Sequence, residues 1–159
     1  MAVLMCVPNI SEGRDLSVVE AVVDEIRRVK GVKLLDYSSD ANHNRSVLTY
    51  LGEPDAVLDV TKALAGKALE LIDMSRHEGS HPRMGAVDVV PFIPIRDVST
   101  DEAVAVARQF GRFVGGMGVP VYYYEDAATA PERQNLVSIR KGEYEALEAK
   151  LQDPAWQPD

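Results

Sequence analysis

Two imidazoles, a carboxylate and a guanidinium crowd into the stretch His77-Glu78-Gly79-Ser80-His81-Pro82-Arg83-Met84-Gly85. Those residue types can move protons and hold anions: an imidazole exchanges a proton near neutrality, and a guanidinium grips a carboxylate through two parallel N–H bonds. Two glycines and a proline keep the stretch out of regular structure, which suits a preorganised polar loop and not a packed core. The first five residues also match the H-E-x-x-H zinc signature, but that signature works on a helix, where histidines four apart share a face. Gly79 weakens a helix from inside and Pro82 disfavours helical backbone at His81, so no metal is expected here. His43, the only other histidine, precedes the loop by a whole expected helix. The plainer alternative is that His77 and His81 are solvated loop residues satisfied by water and neighbouring backbone.

The elements that must position this loop follow from periodicity. Ala2 to Val7 is a short apolar run ended by Pro8-Asn9, which fits a strand buried on both faces. Leu16, Val19, Val22, Val23, Ile26 and Val29 fall at helical spacing, with Asp15 placed to cap the start and Gly31 just past the end. Val32 to Tyr37 and Arg45 to Leu51 read as strands. The connection between them, Ser38 to Asn44, is too short for a crossover helix, so the two should pair antiparallel as a hairpin. Pro54 opens a long amphipathic helix that runs to about Arg76 and delivers the chain into the polar loop.

Beyond Gly85, Ala86 to Ile95 reads as a strand, with Pro91 and Pro94 confining its second half to an edge or a strand end. Ser99 and Glu102 form a capping box for a helix through Val114, and Val119 to Tyr124 reads as a further strand. Helical patterns from Pro131 to about Arg140 and from Glu143 to Leu151 close the chain. This order predicts an α+β fold: a ferredoxin-like βαββαβ core, extended by a further helix, strand and C-terminal helices, on a mixed, mostly antiparallel sheet. Helices would cover one sheet face. The other, dressed with Val, Ile and Leu, needs cover from the later helices, a second domain or a second subunit, and a partner is expected for at least part of it.

At 159 residues the chain has the size of one ordinary domain. Its 17 basic against 25 acidic residues leave a net charge of -8, which argues against a broad electrostatic footprint for nucleic acid or an anionic membrane. An anionic ligand must then be held by a few placed arginines. Cys6, the lone cysteine, sits in the first apolar run and reads as a buried small hydrophobe. No apolar run approaches the roughly 18 to 20 residues that span a bilayer, and nothing resembles a signal peptide, so a cytoplasmic protein is expected.

Five blocks, Cys6-Val7-Pro8-Asn9-Ile10-Ser11-Glu12-Gly13, Asn44-Arg45-Ser46-Val47, Leu71-Ile72-Asp73-Met74-Ser75-Arg76-His77, His81-Pro82-Arg83-Met84-Gly85-Ala86-Val87-Asp88 and Pro91-Phe92-Ile93-Pro94, together resemble the N-terminal subdomain of formiminotransferases. Gly142-Glu143-Tyr144-Glu145-Ala146-Leu147 and Trp156-Gln157-Pro158-Asp159 extend the resemblance, which covers essentially residues 1–159. It implies one N-terminal subdomain, with neither the C-terminal subdomain nor the cyclodeaminase region of formimidoyltransferase-cyclodeaminases. The implied chemistry is glutamate formimidoyltransferase chemistry in histidine degradation. A formimino group moves from N-formimino-L-glutamate to tetrahydrofolate, the co-substrate, and no metal is required.

The same resemblance puts the family's proton-accepting histidine on His81, which would take the proton of the attacking folate nitrogen and return it to the leaving amine. Arg45 and Arg83 suit the carboxylates of the glutamate or folate tail, and Asn9 and Asn44 can offer donors and acceptors to the pterin or the amidine. Arg45 could instead pair with Asp40, and Asn9 and Asn44 also read as ordinary turn residues. Family members often carry an acidic residue where this chain has Ser38, so a carboxylate orienting the base is either absent or supplied by Asp40. In the family, folate lies in a tunnel between two subdomains. The expected partners are therefore folate, formiminoglutamate and a C-terminal subdomain or companion chain, with a homodimer also open. The alternative to an enzyme half is a non-catalytic binding or assembly module with the same fold.

Overall fold

The structure, a computed structural model, describes residues 1–80 and 83–159. In chain order its regular elements are β1 (Val3–Cys6), β2 (Asn9–Ile10), α1 (Leu16–Arg27), β3 (Val32–Asp40), β4 (Arg45–Gly52), α2 (Pro54–Leu71), β5 (Val87–Val89), β6 (Phe92–Arg96), α3 (Thr100–Gly115), α4 (Leu136–Arg140) and α5 (Leu147–Leu151), with short 3-10 turns between several of them. The class is α+β. β4 is central, with β3 along one side and β1 and β2, end to end, along the other. Outside these lie β6 against β1 and β5 against β2. Every pairing among the described residues is antiparallel, including the expected β3–β4 hairpin.

Two prolines explain why the inner and outer lines of strand are each broken. Proline has no N–H to give to a ladder, and Pro8 separates β1 from β2 while Pro91 separates β5 from β6. Their carbonyls keep the sheet continuous: Leu48 N–H donates to Pro8 O at 3.1 Å and Val7 N–H donates to Pro91 O at 3.2 Å. Helix starts are set locally. The Asp15 carboxylate accepts from Ser17 N–H to cap α1, and Ser99 Oγ accepts from Glu102 N–H to cap α3.

α1 and α2 pack together over one face of the sheet, and α3 lies beside α2 and against β6. Alternation along the strands aims Leu4, Cys6, Leu48 and Tyr50 into this layer, where they meet Val22, Val57, Val60 and Leu64. Full burial of each such aliphatic side chain contributes roughly 1.5 to 3 kcal/mol. Tyr50 brings a hydroxyl into the core and satisfies it on Thr61 Oγ1 at 2.6 Å, while Thr61 Oγ1 bonds Val57 O at 2.7 Å. Cys6 is fully buried beside them, and burial pushes its thiol up to about 12. No helix among the described residues is long and apolar enough to cross a membrane.

The opposite sheet face follows from the same alternation. Met5, Val7, Val47, Thr49 and Leu51 are half-buried where their neighbours in sequence are buried. Ile93, paired with Met5, belongs to this face, and Ile95 two residues on is 52% exposed. A bulge in β3 between Leu34 and Asp36 leaves Leu35 46% exposed. At one end the face turns polar: Asn9 pairs with Val47 in register, Ser38 with Val47 from the other side, and Asp40 with Arg45.

Three expectations need correction. Val119–Tyr124 forms no strand. Pro120 lacks an N–H, and the Val121 carbonyl and Tyr123 N–H are taken by the N–H and carboxylate of Asp159, at 2.7 and 2.8 Å. A cleft of about 700 Å³ is lined by this segment together with α3 and the edge strands β5 and β6. The helix expected to reach Arg76 ends at Leu71, because Ile72 is extended and Asp73 starts a separate 3-10 turn by accepting from Ser75 N–H. The two C-terminal helical patterns are each split into a 3-10 turn and one short helix. Asn135 caps α4 afresh, and Ala146 ends the turn at 144–146 and stands at the N-cap of α5.

Candidate active site

Three stretches meet at the polar end of the sheet: residues 9–14, the β3–β4 turn at 40–45, and residues 77–80 with 83–85. Asn44 stitches them together from a left-handed backbone position (φ 52°). Its Oδ1 accepts from Gly13 N–H at 2.9 Å, its Nδ2 donates to Glu78 O at 2.9 Å, and its own carbonyl accepts from His77 Nε2 at 2.9 Å. Ser80 N–H donates to Asn42 O at 3.2 Å, and Ser11 Oγ donates to Gly85 O at 2.7 Å. The contact is close enough to demand glycine twice. A Cβ on Gly13 would stand 2.4 Å from Asp40 O, and one on Gly79 would stand 2.3 Å from His43 O.

His77 is a structural member of this junction. Arg83 Nε–H donates to its Nδ1 at 2.9 Å, so the ring hydrogen sits on Nε2 and is donated to Asn44 O. Both ring nitrogens are thereby spent, which leaves His77 no lone pair for the metal of an H-E-x-x-H site. Arg83 is buried, 6% exposed, and anchors the other side. Its Nη2 and Nη1 meet the two oxygens of Glu145 at 2.7 and 2.9 Å, and Nη1 also reaches Glu143 at 3.2 Å. These bonds, above all the one to Glu145, raise the Arg83 pKa further, and the same contact lowers the Glu145 carboxyl to about 2. Tyr144 N–H donates to Arg83 O at 2.9 Å, so residues 143–145 clamp the loop through backbone as well as side chains.

Of the residues singled out for chemistry, His81 lies outside the described residues, between exposed Ser80 and buried Arg83. Asn9, Asn44, Arg45 and Arg83 do come together, around a void of about 10 Å³ that also touches His43, His77 and Asp88. Arg45 Nη1 donates to Asn9 Oδ1 at 3.2 Å on the open sheet face. Asn44 is 7% exposed with both ends of its amide bonded inside the chain, and Arg83 donates to Glu143, Glu145 and His77. Asp40 is engaged in its own turn and not by Arg45 as an ion pair: its carboxylate holds Asn42 N–H, His43 N–H and His43 Nδ1, the last at 2.9 Å.

A 10 Å³ void holds no substrate, so the junction is a packed support. The larger cleft is a poorer candidate. It is lined mainly by apolar side chains, and of its ionic groups Asp88 and Arg140 are paired with each other at 2.8 Å. Sequence reasoning missed the clamp by Glu143 and Glu145 and the pairing of Asp40 with His43. The second carried a signal, since an aspartate two and three residues before backbone amides commonly folds its own turn.

Residues 3–159 match the formiminotransferase domain, N-terminal subdomain. The chain belongs to the formiminotransferase family. It is 46% identical over 158 residues to the glutamate formimidoyltransferase of Streptococcus pyogenes serotype M1, covering 99% of this chain and 53% of that protein. It is 50% identical over 155 residues to the formimidoyltransferase-cyclodeaminase of Gallus gallus, covering 97% of this chain and 29% of that protein. The glutamate formimidoyltransferase of Thermoplasma acidophilum is 43% identical over 162 residues, covering 100% of this chain and 54% of its own length. This formiminotransferase subdomain thus spans about half the length of its monofunctional relatives and under a third of the bifunctional one.

Proposed function

We propose that this subdomain supplies the N-terminal half of a folate-dependent transferase, which moves a formimino group from N-formimino-L-glutamate to tetrahydrofolate in histidine degradation. The observation that carries the reading is the family match over residues 3–159, joined to a polar junction that sits at the rim of an unroofed sheet face. His81, between Ser80 and Arg83 in sequence, takes the proton of the attacking folate nitrogen. An imidazole does this near neutral pH and contributes about 10²- to 10⁴-fold. Arg45, on the open face, suits a carboxylate of the donor or of the folate tail through its guanidinium fork. Asn9, bonded to Arg45, orients that fork and offers its amide to the pterin or amidine. Arg83 and Asn44 act mainly by holding the loop that carries His81. A C-terminal subdomain, in the same polypeptide or a companion chain, roofs the sheet face and completes the folate site. The protein works in the cytoplasm, and the reaction needs no metal.

The test is a spectroscopic assay of formimino transfer with formiminoglutamate and tetrahydrofolate, with and without a matching C-terminal subdomain. Transfer only when both subdomains are present is the expected result. Ligand binding with no transfer in either case would instead make the chain a binding or assembly module.

A further inference from the structure

Arg83 has five N–H groups to donate, and all five are engaged. Its Nε–H goes to His77 Nδ1 at 2.9 Å and one Nη2–H to His77 O at 3.2 Å, so His77 fixes the plane of the guanidinium. The remaining fork meets residues 143–145: Glu145 accepts from Nη2 and Nη1 at 2.7 and 2.9 Å, and Glu143 accepts from Nη1 at 3.2 Å. That is the geometry with which a guanidinium holds the carboxylate of a ligand. The two partners differ in exposure. The Arg83 side chain is 8% exposed and that of Glu145 65%, so the carboxylate closes over the guanidinium from the solvent side.

The stretch that brings Glu145 there is tied to the fold at one residue. Among the described residues, every hydrogen bond from residues 141–151 to the fold outside residues 131–159 goes to Arg83, the bond from Tyr144 N–H to its carbonyl included. Otherwise the stretch closes on itself: Lys150 Nζ donates to Lys141 O at 3.3 Å, and α5 packs mainly on the short turns that flank it. Tyr144 and Leu147 border the open cleft of about 700 Å³ and are not part of the filled core. Glu143 sits at φ 58° and ψ -157°, a backbone conformation that glycine alone adopts without strain, so movement of the stretch relieves strain.

A buried guanidinium left without an anion is costly, but exchange of one carboxylate for another keeps it paired before and after. Glu145 presents its carboxylate on two methylene groups, which is also how the side chain of a glutamyl ligand ends. Arg83 borders the same small void as Asn9 and Arg45. We propose that Glu145 is an internal stand-in for a ligand: the γ-carboxylate of a glutamyl compound displaces it from Arg83, and residues 141–151 lift as that ligand enters. The clamp is then the closed arrangement, and the guanidinium that secures it also receives the ligand. The inference rests on the transferase reading for the glutamyl ligand, N-formimino-L-glutamate, and adds a gate to it.

The test uses the 159-residue chain at fixed ionic strength and two probes of equal length, glutarate and its uncharged diamide. Hydrogen exchange is followed at the Tyr144 amide, which is bonded to Arg83 O. Glutarate should speed exchange there severalfold, and the diamide should not. Glu145→Gln removes the competing charge, so its Tyr144 amide should exchange faster without any probe. It should also bind glutarate more tightly by about fivefold, the factor that an exposed ion pair represents. Glu143→Gln should do the same to a smaller extent. In formimino transfer assayed with the C-terminal subdomain that longer family members carry, Glu145→Gln should lower the KM for formiminoglutamate. Exchange at Tyr144 that ignores glutarate, or a Glu145→Gln variant that binds glutarate no better than wild type, overturns the gate and leaves the transferase reading standing. Failure of the wild type to transfer overturns the transferase reading, while glutarate-driven exchange at Tyr144 would still uphold the displacement of Glu145.

Discussion

The carboxylate of Glu145 grips the guanidinium of Arg83 with both oxygens, at 2.7 and 2.9 Å, across 62 residues of sequence. Arg83 then donates to His77, and His77 donates to the carbonyl of Asn44. A side chain near the C-terminal end thereby determines how the central loop meets the β3–β4 turn.

That ion pair should be visible in acid. Glu145 is held at about 2 against an ordinary value of 4.5. A depressed carboxyl pKa contributes stability that is present above the unfolded value and is lost as pH falls through the folded one. Wild type should therefore lose more Tm between about pH 4.5 and 2 than Glu145→Gln does, with the two curves meeting near pH 2. Because the Glu145 side chain is 65% exposed, the difference at neutral pH should be small. Parallel curves across that window would show that the contact contributes nothing.

His77→Ala removes the middle link of a part-buried chain of bonds, leaving Asn44 O without its donor and Arg83 Nε without its acceptor. Stranding such groups costs about 1 to 3 kcal/mol, which urea denaturation would register as a lower midpoint.

Gly79→Ala and Gly13→Ala each push a methyl group against backbone that has no room to give. Each should cost about 1 to 3 kcal/mol, with Tm falling by several degrees. A melt unchanged from wild type would mean that the loops do not meet as described.

Under the proposed function, and assayed with the C-terminal subdomain, His81→Ala should lose nearly all transfer activity, about 10²-fold or more. His77→Ala should melt lower and keep more of its rate. Equal rate losses in the two variants would show that the base is not confined to His81.

Cys6 is fully buried and its thiol is pushed up to about 12, so a thiol reagent at neutral pH should label it only after unfolding. Rapid labelling of the native protein would place β1 outside the core.

Short-range physics made much of this legible. Alternation along Arg45 to Leu51 announced the strand that the fold makes central, and the Ser38 to Asn44 connection announced the hairpin. The caps at Asp15 and Ser99 fall where their side chains can reach amides two and three residues on. Ordered blocks of residues identified the family, which the match over residues 3–159 bears out.

Long-range geometry decided the rest. Val119–Tyr124 has the composition of a strand, but a ladder also needs an edge at the right distance, and here Asp159 takes its polar groups first. Arg83 looked like a hand for a substrate carboxylate. Which carboxylate it holds depends on where residues 143–145 come to rest, and no local pattern records that. Asp40 was weighed as an ion-pair partner for Arg45, and turn geometry gave it to His43. Residue type and spacing settle what the chain can bond within a few positions. Only the packed molecule settles which of several equally suitable partners arrives, because that choice depends on contacts made across the whole fold.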